Sequence, residues 1–512
     1  MKTFFFSIFL SLTLFAKAQT NIKLELPSSK IKINKHIYGH FAEHLGRSIY
    51  DGFYVGENSE IPNLNGVRID VINALKEMKI PNLRWPGGCF ADTYHWKEGI
   101  GPKQQRPTIV NQWWGGVTED NSFGTHDFLN LCEALETEPY ISGNIGSGTV
   151  KEFTDWLQYV NHDGVSPMAD LRRENGRDKP WNVRFWGLGN EAWGCGGHMT
   201  AEYYSDVYRQ YATFMTDWTN SNSMYRIASG ASGSDYNWTE VLMKNIPKNL
   251  IEAVALHYYA VIDWDNKGSA KDFSEKQYFQ TLQRAFKIDE YITKHIAIMD
   301  QYDPEGEIDL IVDEWGGWYD VEPGTNPGFL FQQNTIRDAM IAGMTLNIFN
   351  NHAKRVTMAN LAQTVNVLQA VILTDEKKLI LTPTYYVMKM YAVHQGATLI
   401  PLSLESPNFS LGDESLPALS ASASINEEGD IHISLVNIDS KKEHPIEIPL
   451  PNVKSNQISM EVVYSPNIQD HNTFDYPEKI KIQKFDKYKF KNKNLIIEIP
   501  EHAVLMVKIA KE

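Results

Sequence analysis

Two glutamates each close an apolar segment of the sequence. Glu191 follows residues 185–190, FWGLGN, and Glu314 follows residues 310–313, LIVD. An unpaired carboxylate is costly inside an apolar sheet, so we expect both side chains to face an open end of the fold. A pair of carboxyl groups, one protonated and one ionised, is what the hydrolysis of a glycosidic bond requires. The sequence therefore predicts Glu191 and Glu314 as a catalytic pair.

The surrounding segments alternate between strand-like and helical patterns. Apolar residues recur at three- and four-residue spacing in stretches such as 67–78, 126–136, 150–162, 200–219, 276–299 and 329–350, which indicates amphipathic helices. Between them we predict eight strands, at 37–41, 82–87, 139–144, 183–190, 226–231, 253–259, 309–314 and 355–363. This repeat predicts an α/β fold, a (β/α)8 TIM barrel.

Counting strands places the two glutamates across the mouth of that barrel. Glu191 ends the fourth predicted strand and Glu314 the seventh, and active sites of such barrels lie at the C-terminal ends of the strands. The same ends supply further candidate site residues: His40, Glu43, His44, Arg84, Cys89, Asn144, Asn190, Ser232, His257, Tyr259, Asp313, Trp315, Asn360 and Gln363.

The pattern changes from about residue 395 onward. Short alternating runs at 419–425, 430–436, 444–448, 459–465, 495–499 and 503–509 are separated by polar turns, which predicts a β-sandwich. We therefore predict a signal peptide at 1–18, a strand segment at 19–34 that pairs with the sandwich, a catalytic barrel at 35–392 and a C-terminal β-sandwich at 393–512. Since no low-complexity linker separates them, the barrel and the sandwich should pack directly.

The formal net charge of −15 repels nucleic acid and anionic membranes, so we expect neither as a partner and favour a neutral substrate. At the N-terminus, Lys2 precedes the apolar run 4–15 and the small-residue motif 16–18, AKA. This pattern is typical of a signal peptide. It predicts cleavage near Ala18 and a secreted or periplasmic protein.

The cysteines and one histidine motif bear on metal binding. The chain has three cysteines, Cys89, Cys132 and Cys195, too few and too widely spaced for a disulfide framework or a zinc cluster. Residues 40–44, HFAEH, match the H-x-x-E-H pattern of some zinc proteases. That pattern must lie on a helix, whereas here it follows a predicted strand. We expect no metal and no other cofactor.

Six motifs occur together in a recognisable order: residues 37–46, IYGHFAEHLG; 83–88, LRWPGG; 187–191, GLGNE; 256–259, LHYY; 312–315, VDEW; and 358–363, MANLAQ. This set resembles glycoside hydrolase family 51, the α-L-arabinofuranosidases. The resemblance implies a barrel with a C-terminal jelly-roll sandwich, retention of configuration, no catalytic metal, a homo-oligomer, and an arabinofuranosyl-containing oligosaccharide or polysaccharide as substrate.

Carried over to this sequence, the resemblance makes Glu191 the acid/base and Glu314 the nucleophile. It makes Glu43, Asn190, Tyr259 and Gln363 binders of the sugar or the nucleophile. From the chemistry of the residues themselves, we expect Arg84 beside Glu314, His257 as either a wall residue or a ligand contact, and Trp113 and Trp114 on the leaving-group side. Cys89 stands where many members of the family have asparagine, and its thiol would be a weak donor to the sugar.

Two other functions remain open at this stage. A related barrel glycosidase could act on β-xylosides or β-glucans, which aryl glycoside substrates would distinguish. A protein of another class could use the same fold to bind sugar without catalysis, but loss of either carboxylate would be its expected mark, and both are present.

Overall fold

Eight apolar segments form a closed barrel of parallel strands. The computed structural model describes residues 20–25, 30–219 and 224–511. The barrel strands, numbered β1 to β8 along the chain, are Gly39–Phe41, Asn82–Trp85, Glu138–Gly143, Phe185–Leu188, Tyr225–Ser232, Ala253–Ala260, Asp309–Gly317 and Val356–Leu361. Each strand pairs in parallel with the next, and β8 pairs with β1. The predicted barrel is confirmed.

Helices cover the outside of the barrel. In the described ranges they are, numbered α1 to α9, Ile69–Met78, Thr125–Leu135, Val150–Asn161, Pro167–Glu174, Ala201–Phe214, Tyr236–Asn245, Glu275–Tyr302, Ile336–Asn351 and Pro383–Tyr391. The helix predicted at 329–350 begins only at Ile336, because Thr335 caps α8 and forms a capping box with Asp338. Among the described residues, no helix combines the length and the apolar character needed to cross a bilayer.

One packed layer of the barrel interior is apolar. Its packed side chains are Tyr140, Phe185, Ile227, Ala253, Ala255, Ile311 and Met358. Such layers fill a barrel of this kind and leave no pore. At one edge of this layer the hydroxyl of Tyr140 donates to Oδ2 of Asp313 at 2.8 Å. Polar groups are also buried near the start of β2, where Oδ1 of Asn82 accepts from the amide of Asn360 at 2.6 Å.

Two sheets form the C-terminal β-sandwich. In spatial order, one contains Leu402–Leu404, Thr20–Leu24, His444–Pro449, Asn494–Ile499 and Tyr488–Lys491, and the other contains Thr398–Leu399, Leu419–Ile425, Ile431–Asn437, Ala503–Ile509, Ile458–Val463 and Gln483–Lys484. The N-terminal strand runs parallel to His444–Pro449 and antiparallel to Leu402–Leu404. The chain therefore begins its described part in the sandwich before it enters the barrel.

Short elements occupy the connections. Two-stranded hairpins pair Asn63–Leu64 with Val67–Arg68, Ile109–Val110 with Thr118–Glu119, Ile372–Asp375 with Lys378–Leu381, and Asn408–Leu411 with Glu414–Pro417. Single turns of 3-10 helix lie at Lys35–Tyr38, Cys89–Thr93, Trp96–Gly99, Lys103–Gln105, Lys248–Leu250, Pro327–Phe329, Ala392–His394 and Ser455–Gln457.

Helix α8 joins the barrel to the sandwich. It is buried along almost its whole length, and a single apolar core runs through both domains. At the interface Ser434 donates to Oδ1 of Asn347 at 2.7 Å, and Asn350 donates to the hydroxyl of Ser422 at 3.0 Å. The two domains therefore pack directly against each other.

Gly343 allows this close approach, because a Cβ built on it would lie 2.9 Å from Cγ2 of Val436 in the sandwich. We predict that Gly343→Val lowers the free energy of unfolding by about 1–3 kcal/mol through overpacking. Urea unfolding would measure the loss. The volume-conserving change Met344→Leu, also in α8, is the control and should cost less. An unchanged or raised stability of Gly343→Val would contradict this account of the interface.

Candidate active site

Glu314 lies in β7 where that strand reaches the mouth of the barrel. Nη1 of Arg84, from β2, donates to its Oε1 at 2.8 Å, and the hydroxyl of Tyr259, from β6, donates to its Oε2 at 2.8 Å. A Cβ on Gly88 would lie 3.0 Å from the same Oε1, so the absence of a side chain there makes room for the carboxylate. Both oxygens of the Glu314 carboxylate thus accept from side chains of neighbouring strands.

Glu191 occupies the turn directly after β4. The turn needs left-handed backbone at Gly189, with φ of 81°, and a Cβ there would come within 2.6 Å of Ile145. Burial, with a further contribution from the charge of Glu314, raises the pKa of Glu191 above its ordinary value. One carboxylate oxygen of Glu191 lies within 4.8 Å of one of Glu314.

His257 connects the acidic groups of the mouth. Its Nδ1 lies 3.0 Å from Glu191 Oε1 and 3.6 Å from Glu314 Oε2, and its Nε2 lies 3.1 Å from Asp313 Oδ1. Burial alone would lower its pKa, but the carboxylates of Glu314 and Asp313 raise the pKa of His257 to about 10. Both ring nitrogens thus face protein carboxylates, which makes His257 a cationic part of the site wall.

A second group of residues gathers around Glu43, just beyond β1. Its Oε1 accepts from the backbone N–H of Phe90 at 3.1 Å and from the indole of Trp114 at 2.9 Å, and its Oε2 accepts from the amide of Gln363 at 2.9 Å. Burial and the nearby Glu314 raise the pKa of Glu43 to about 7. The structure thus brings Glu43, Trp114 and Gln363 together, whereas the neighbouring Trp113 is exposed.

Asn190 and Glu191 are held by a residue that the sequence analysis missed. The buried carboxylate of Asp92 accepts from the backbone N–H groups of Asn190, Ile145 and Gly146, each at 2.8 Å. Asn190 in turn accepts from Nη2 of Arg84 at 2.6 Å through its Oδ1. Asp92 lies in the connection after β2, and no spacing or motif in the sequence marks it.

The expected free thiol at Cys89 is absent because its sulfur is bonded to Cys195. The prediction that Cys89 offers a thiol donor to the sugar is therefore wrong, since a disulfide has no S–H. The bond joins the loops after β2 and β4, and Sγ of Cys195 lies 3.8 Å from Oε2 of Glu191. Cys132 is unpaired and buried.

The two histidines of the H-x-x-E-H motif point to different surroundings. Nδ1 of His44 lies 2.9 Å from Glu119, and its Nε2 accepts from the indole of Trp85 at 3.2 Å. His40 is fully buried, and burial lowers its pKa to about 3. Glu43 belongs to the cluster described above. Among the described residues, the groups able to share a metal ion contain neither histidine.

A cavity of about 750 Å³ opens from Glu191 toward α7. Glu191, His257 and Tyr259 line its inner end. Its remaining walls are Trp193, Ser232, Gly233, Ser234, Tyr258, Val261, Ile262, Asp263, Trp264, Arg284, Tyr291 and Trp318. Most of these residues lie on loops after β5 and β6 or on α7, where the sequence patterns did not indicate site residues. Trp318 follows Glu314 closely and could have been suspected from its place after β7.

A parallel barrel with two facing carboxyl groups at its C-terminal mouth, beside a cavity of sugar size, is the arrangement of a barrel glycoside hydrolase. Comparisons with known proteins narrow this class. Residues 74–277 match the protein-family model "Alpha-L-arabinofuranosidase 1 domain", and residues 313–503 match "Alpha-L-arabinofuranosidase C-terminal domain".

Individual relatives agree with these matches. An intracellular exo-α-L-arabinofuranosidase of Bacteroides ovatus is 48% identical over 98% of this chain and 97% of its own length. The structure of the GH51 arabinofuranosidase of Xanthomonas axonopodis pv. citri is 44% identical, with a TM-score of 0.93, over 96% of this chain and 99% of that one. An α-L-arabinofuranosidase of Thermotoga maritima, solved with arabinose, is 30% identical with a TM-score of 0.85, over 96% and 100%.

The chain belongs to the α-L-arabinofuranosidases of glycoside hydrolase family 51. It is therefore a glycoside hydrolase, as the motifs predicted, and the β-xyloside, β-glucan and non-catalytic alternatives are set aside.

The predicted export is contradicted. The Bacteroides ovatus relative, which matches almost the whole chain, is named an intracellular enzyme, so the prediction of a secreted or periplasmic protein is wrong. The segment interpreted as a signal peptide, residues 1–18, lies outside the described residues. A charged residue followed by a short apolar run does not by itself determine the compartment of a protein.

Asp92 supplies a test of the site geometry. In Asp92→Asn one acceptor oxygen becomes an amide donor that must face a backbone N–H, so the loop carrying Asn190 and Glu191 should shift. We predict a fall in kcat of about 10- to 100-fold, the scale of small misplacements of reacting groups, measured on 4-nitrophenyl α-L-arabinofuranoside. Asp206→Asn, on the exposed face of α5, is the control. A normal kcat in folded Asp92→Asn would show that Asp92 does not position the loop.

Proposed function

We propose that the protein removes terminal, non-reducing α-L-arabinofuranosyl residues from arabinan, arabinoxylan or derived oligosaccharides by double displacement. Glu314 is the nucleophile and Glu191 the general acid/base. The observation that carries this proposal is the approach of the two carboxylates to within 4.8 Å, because retaining glycosidases hold their carboxyl groups about 5–5.5 Å apart and inverting ones hold them farther apart. The exo mode is in keeping with the name of the Bacteroides ovatus relative.

The two glutamates have different surroundings. Arg84 and Tyr259 both donate to Glu314, so its carboxylate is ready to attack the anomeric carbon. Glu191 has a raised pKa and so retains a proton for the departing oxygen at a pH where an ordinary glutamate has lost it. In the second step Glu191, now ionised, takes a proton from water, which displaces Glu314 from the sugar.

The cluster around Glu43 supports binding of the arabinofuranosyl ring on the side of Glu314 away from Glu191. Trp114 donates to Glu43, so this proposal places it beside the arabinofuranosyl ring, although the sequence led us to expect it on the leaving-group side. Oε1 of Gln363 is buried and has no hydrogen-bond partner in the described part of the chain, so it can accept from a sugar hydroxyl. Asn190 uses its Oδ1 for Arg84, and its Nδ2 lies 3.8 Å from Sγ of Cys195, which leaves one amide N–H to donate to the 2-hydroxyl. That contact strengthens as positive charge develops on the ring.

The assembly of the protein is also part of the proposal. Family resemblance supports a homo-oligomer, and light scattering of the purified protein would test it.

The first test separates the roles of the two glutamates. Glu314→Ala should lower kcat/KM on every substrate, on the order of 10⁴-fold, by comparison with other losses of a nucleophile. Glu191→Ala should spare substrates with acidic phenol leaving groups, since these depart without a proton. Added azide should restore turnover in Glu191→Ala by attacking the glycosyl-enzyme.

The stereochemistry of the azide product, read by NMR, decides the assignment. Glu191→Ala keeps its nucleophile, so two inversions should give the α-azide. In Glu314→Ala azide would displace the leaving group directly, and any rescue should give the β-azide. Recovery of β-azide from Glu191→Ala would reverse the proposed roles.

The second test uses pH. On a substrate with a poor leaving group, kcat/KM should fall at alkaline pH, where Glu191 loses its proton. Because burial raises the pKa of Glu191, this alkaline limb of the pH profile should lie above the ordinary range for glutamate. The positive charge of His257 lowers the pKa of Glu191 and so opposes the effect of burial. Removing that charge should therefore raise the pKa of Glu191 further. His257→Gln is therefore expected to move the alkaline limb to higher pH. A limb that stayed in place or moved down would contradict the coupling between His257 and Glu191.

A further inference from the structure

The 750 Å³ cavity lies on the side of the site from which the leaving group must depart. It is lined by Glu191 but by neither Glu314 nor the Glu43 cluster. A general acid faces the oxygen that it protonates, so the space beyond Glu191 belongs to the aglycone. Its volume falls within the range of about 300–1,000 Å³ that accommodates ligands larger than one sugar ring.

One wall of this cavity carries an unpaired cation. Arg284 lies on α7, half-buried, and its guanidinium has no hydrogen-bond or ion-pair partner in the part of the chain that the structure describes. Its own backbone carbonyl accepts from the hydroxyl of Tyr258 at 2.7 Å. Tyr258 also packs edge-to-face on Tyr291, with ring centroids 4.9 Å apart. The backbone that carries Arg284 is therefore fixed to the cavity wall.

The other charged groups of the cavity are already engaged. His257 and Glu191 face each other at 3.0 Å. Asp263 turns into its own loop, where its Oδ1 accepts from the backbone N–H groups of Asp265 at 2.8 Å and Asn266 at 3.0 Å. Arg284 is thus the charged group of the wall that lacks a protein partner among the described residues, and its planar fork is suited to a carboxylate.

Aromatic rings at the rim complete a surface for a saccharide. Trp264 is 58% exposed, although apolar surface is costly to leave in water, and Nζ of Lys267 lies 5.9 Å from its ring centroid. It stands edge-on to Trp318 with centroids 5.4 Å apart, and Trp318 stands edge-on to Tyr259 at 5.1 Å. These rings lead from the proposed nucleophile to the rim, and such faces stack on sugar rings.

We propose that this cavity is the aglycone site and that Arg284 binds a carboxylate there, so that the preferred leaving group is a saccharide containing a uronic acid. The inference rests on the proposed function, since the assignment of Glu191 as general acid is what places the leaving group in this cavity.

The test compares two arabinofuranosyl disaccharides that differ only at C6 of the second sugar, which is a glucuronate in one and a glucose in the other. A galacturonate and galactose pair examines the second common uronic acid. We expect kcat/KM of the wild-type enzyme to favour the acidic member of at least one pair by about tenfold or more, the scale of one charge-assisted hydrogen bond. This preference should shrink as salt concentration rises.

Substitutions at Arg284 should remove that preference. In Arg284→Gln the ratio of acidic to neutral kcat/KM should fall to about 1, and Arg284→Lys should retain part of it, because the charge remains without the fork. Lys287→Gln removes the same charge from the same helix outside the cavity and should keep the wild-type ratio. Since each ratio is taken within one variant, partial loss of folded protein does not affect it.

The outcomes separate the role of Arg284 from the proposed function. Equal rates on acidic and neutral members of both pairs in the wild type, or a full preference in Arg284→Gln, would overturn the role of Arg284 and leave the proposed function intact. An enzyme that hydrolysed neither the disaccharides nor 4-nitrophenyl α-L-arabinofuranoside would overturn the proposed function, and the aglycone assignment with it.

Discussion

The buried guanidinium of Arg84 is the group on which the site depends. It donates to Glu314 at 2.8 Å, to Asn190 at 2.6 Å and to the backbone carbonyl of Asp313 at 3.2 Å, and it lies over the ring of Phe41 at 4.5 Å. A charge this deeply buried is tolerated only when it is paired and hydrogen-bonded. Arg84 thus pairs with the buried carboxylate of Glu314 at the mouth of the barrel and fixes the loop after β4 relative to β7.

Charge balance then governs the remaining acids. Four carboxyl groups, Glu43, Glu191, Asp313 and Glu314, share the mouth with two cations, Arg84 and His257. The cations act most strongly on Asp313, whose pKa falls to about 2 despite its burial, and they pair with Glu314. Glu43 and Glu191 receive less stabilisation of their ionised forms from the two cations, and burial raises the pKa of each. Burial therefore sets the direction of the pKa shift at the two acids that the cations neutralise least.

The sequence allowed prediction of the barrel and the pair of glutamates, because both leave local marks. Each strand is a short apolar run between helical patterns, and Glu191 and Glu314 end two of these runs. The bond between Cys89 and Cys195 left no such mark, since the two residues are 106 positions apart and meet only because the loops after β2 and β4 adjoin at the mouth. Asp92 could not be predicted either, because its three partners are backbone N–H groups. The sequence of side chains gives no indication of such contacts.

In the proposed mode of binding, the arabinofuranosyl ring and the leaving group lie on different sides of the barrel mouth. On the proposed arabinofuranose side, Glu43 follows β1, Gln363 follows β8 and Trp114 lies in the turn of the hairpin at 109–119, and Trp114 and Gln363 both donate to Glu43. On the aglycone side, the walls come from loops after β5 and β6 and from α7, and they expose rings and one cation. A change in the buried cluster must repack its neighbours, whereas loop residues tolerate substitution. Specificity for the leaving group can therefore diverge in this fold while recognition of the arabinofuranosyl ring stays constant.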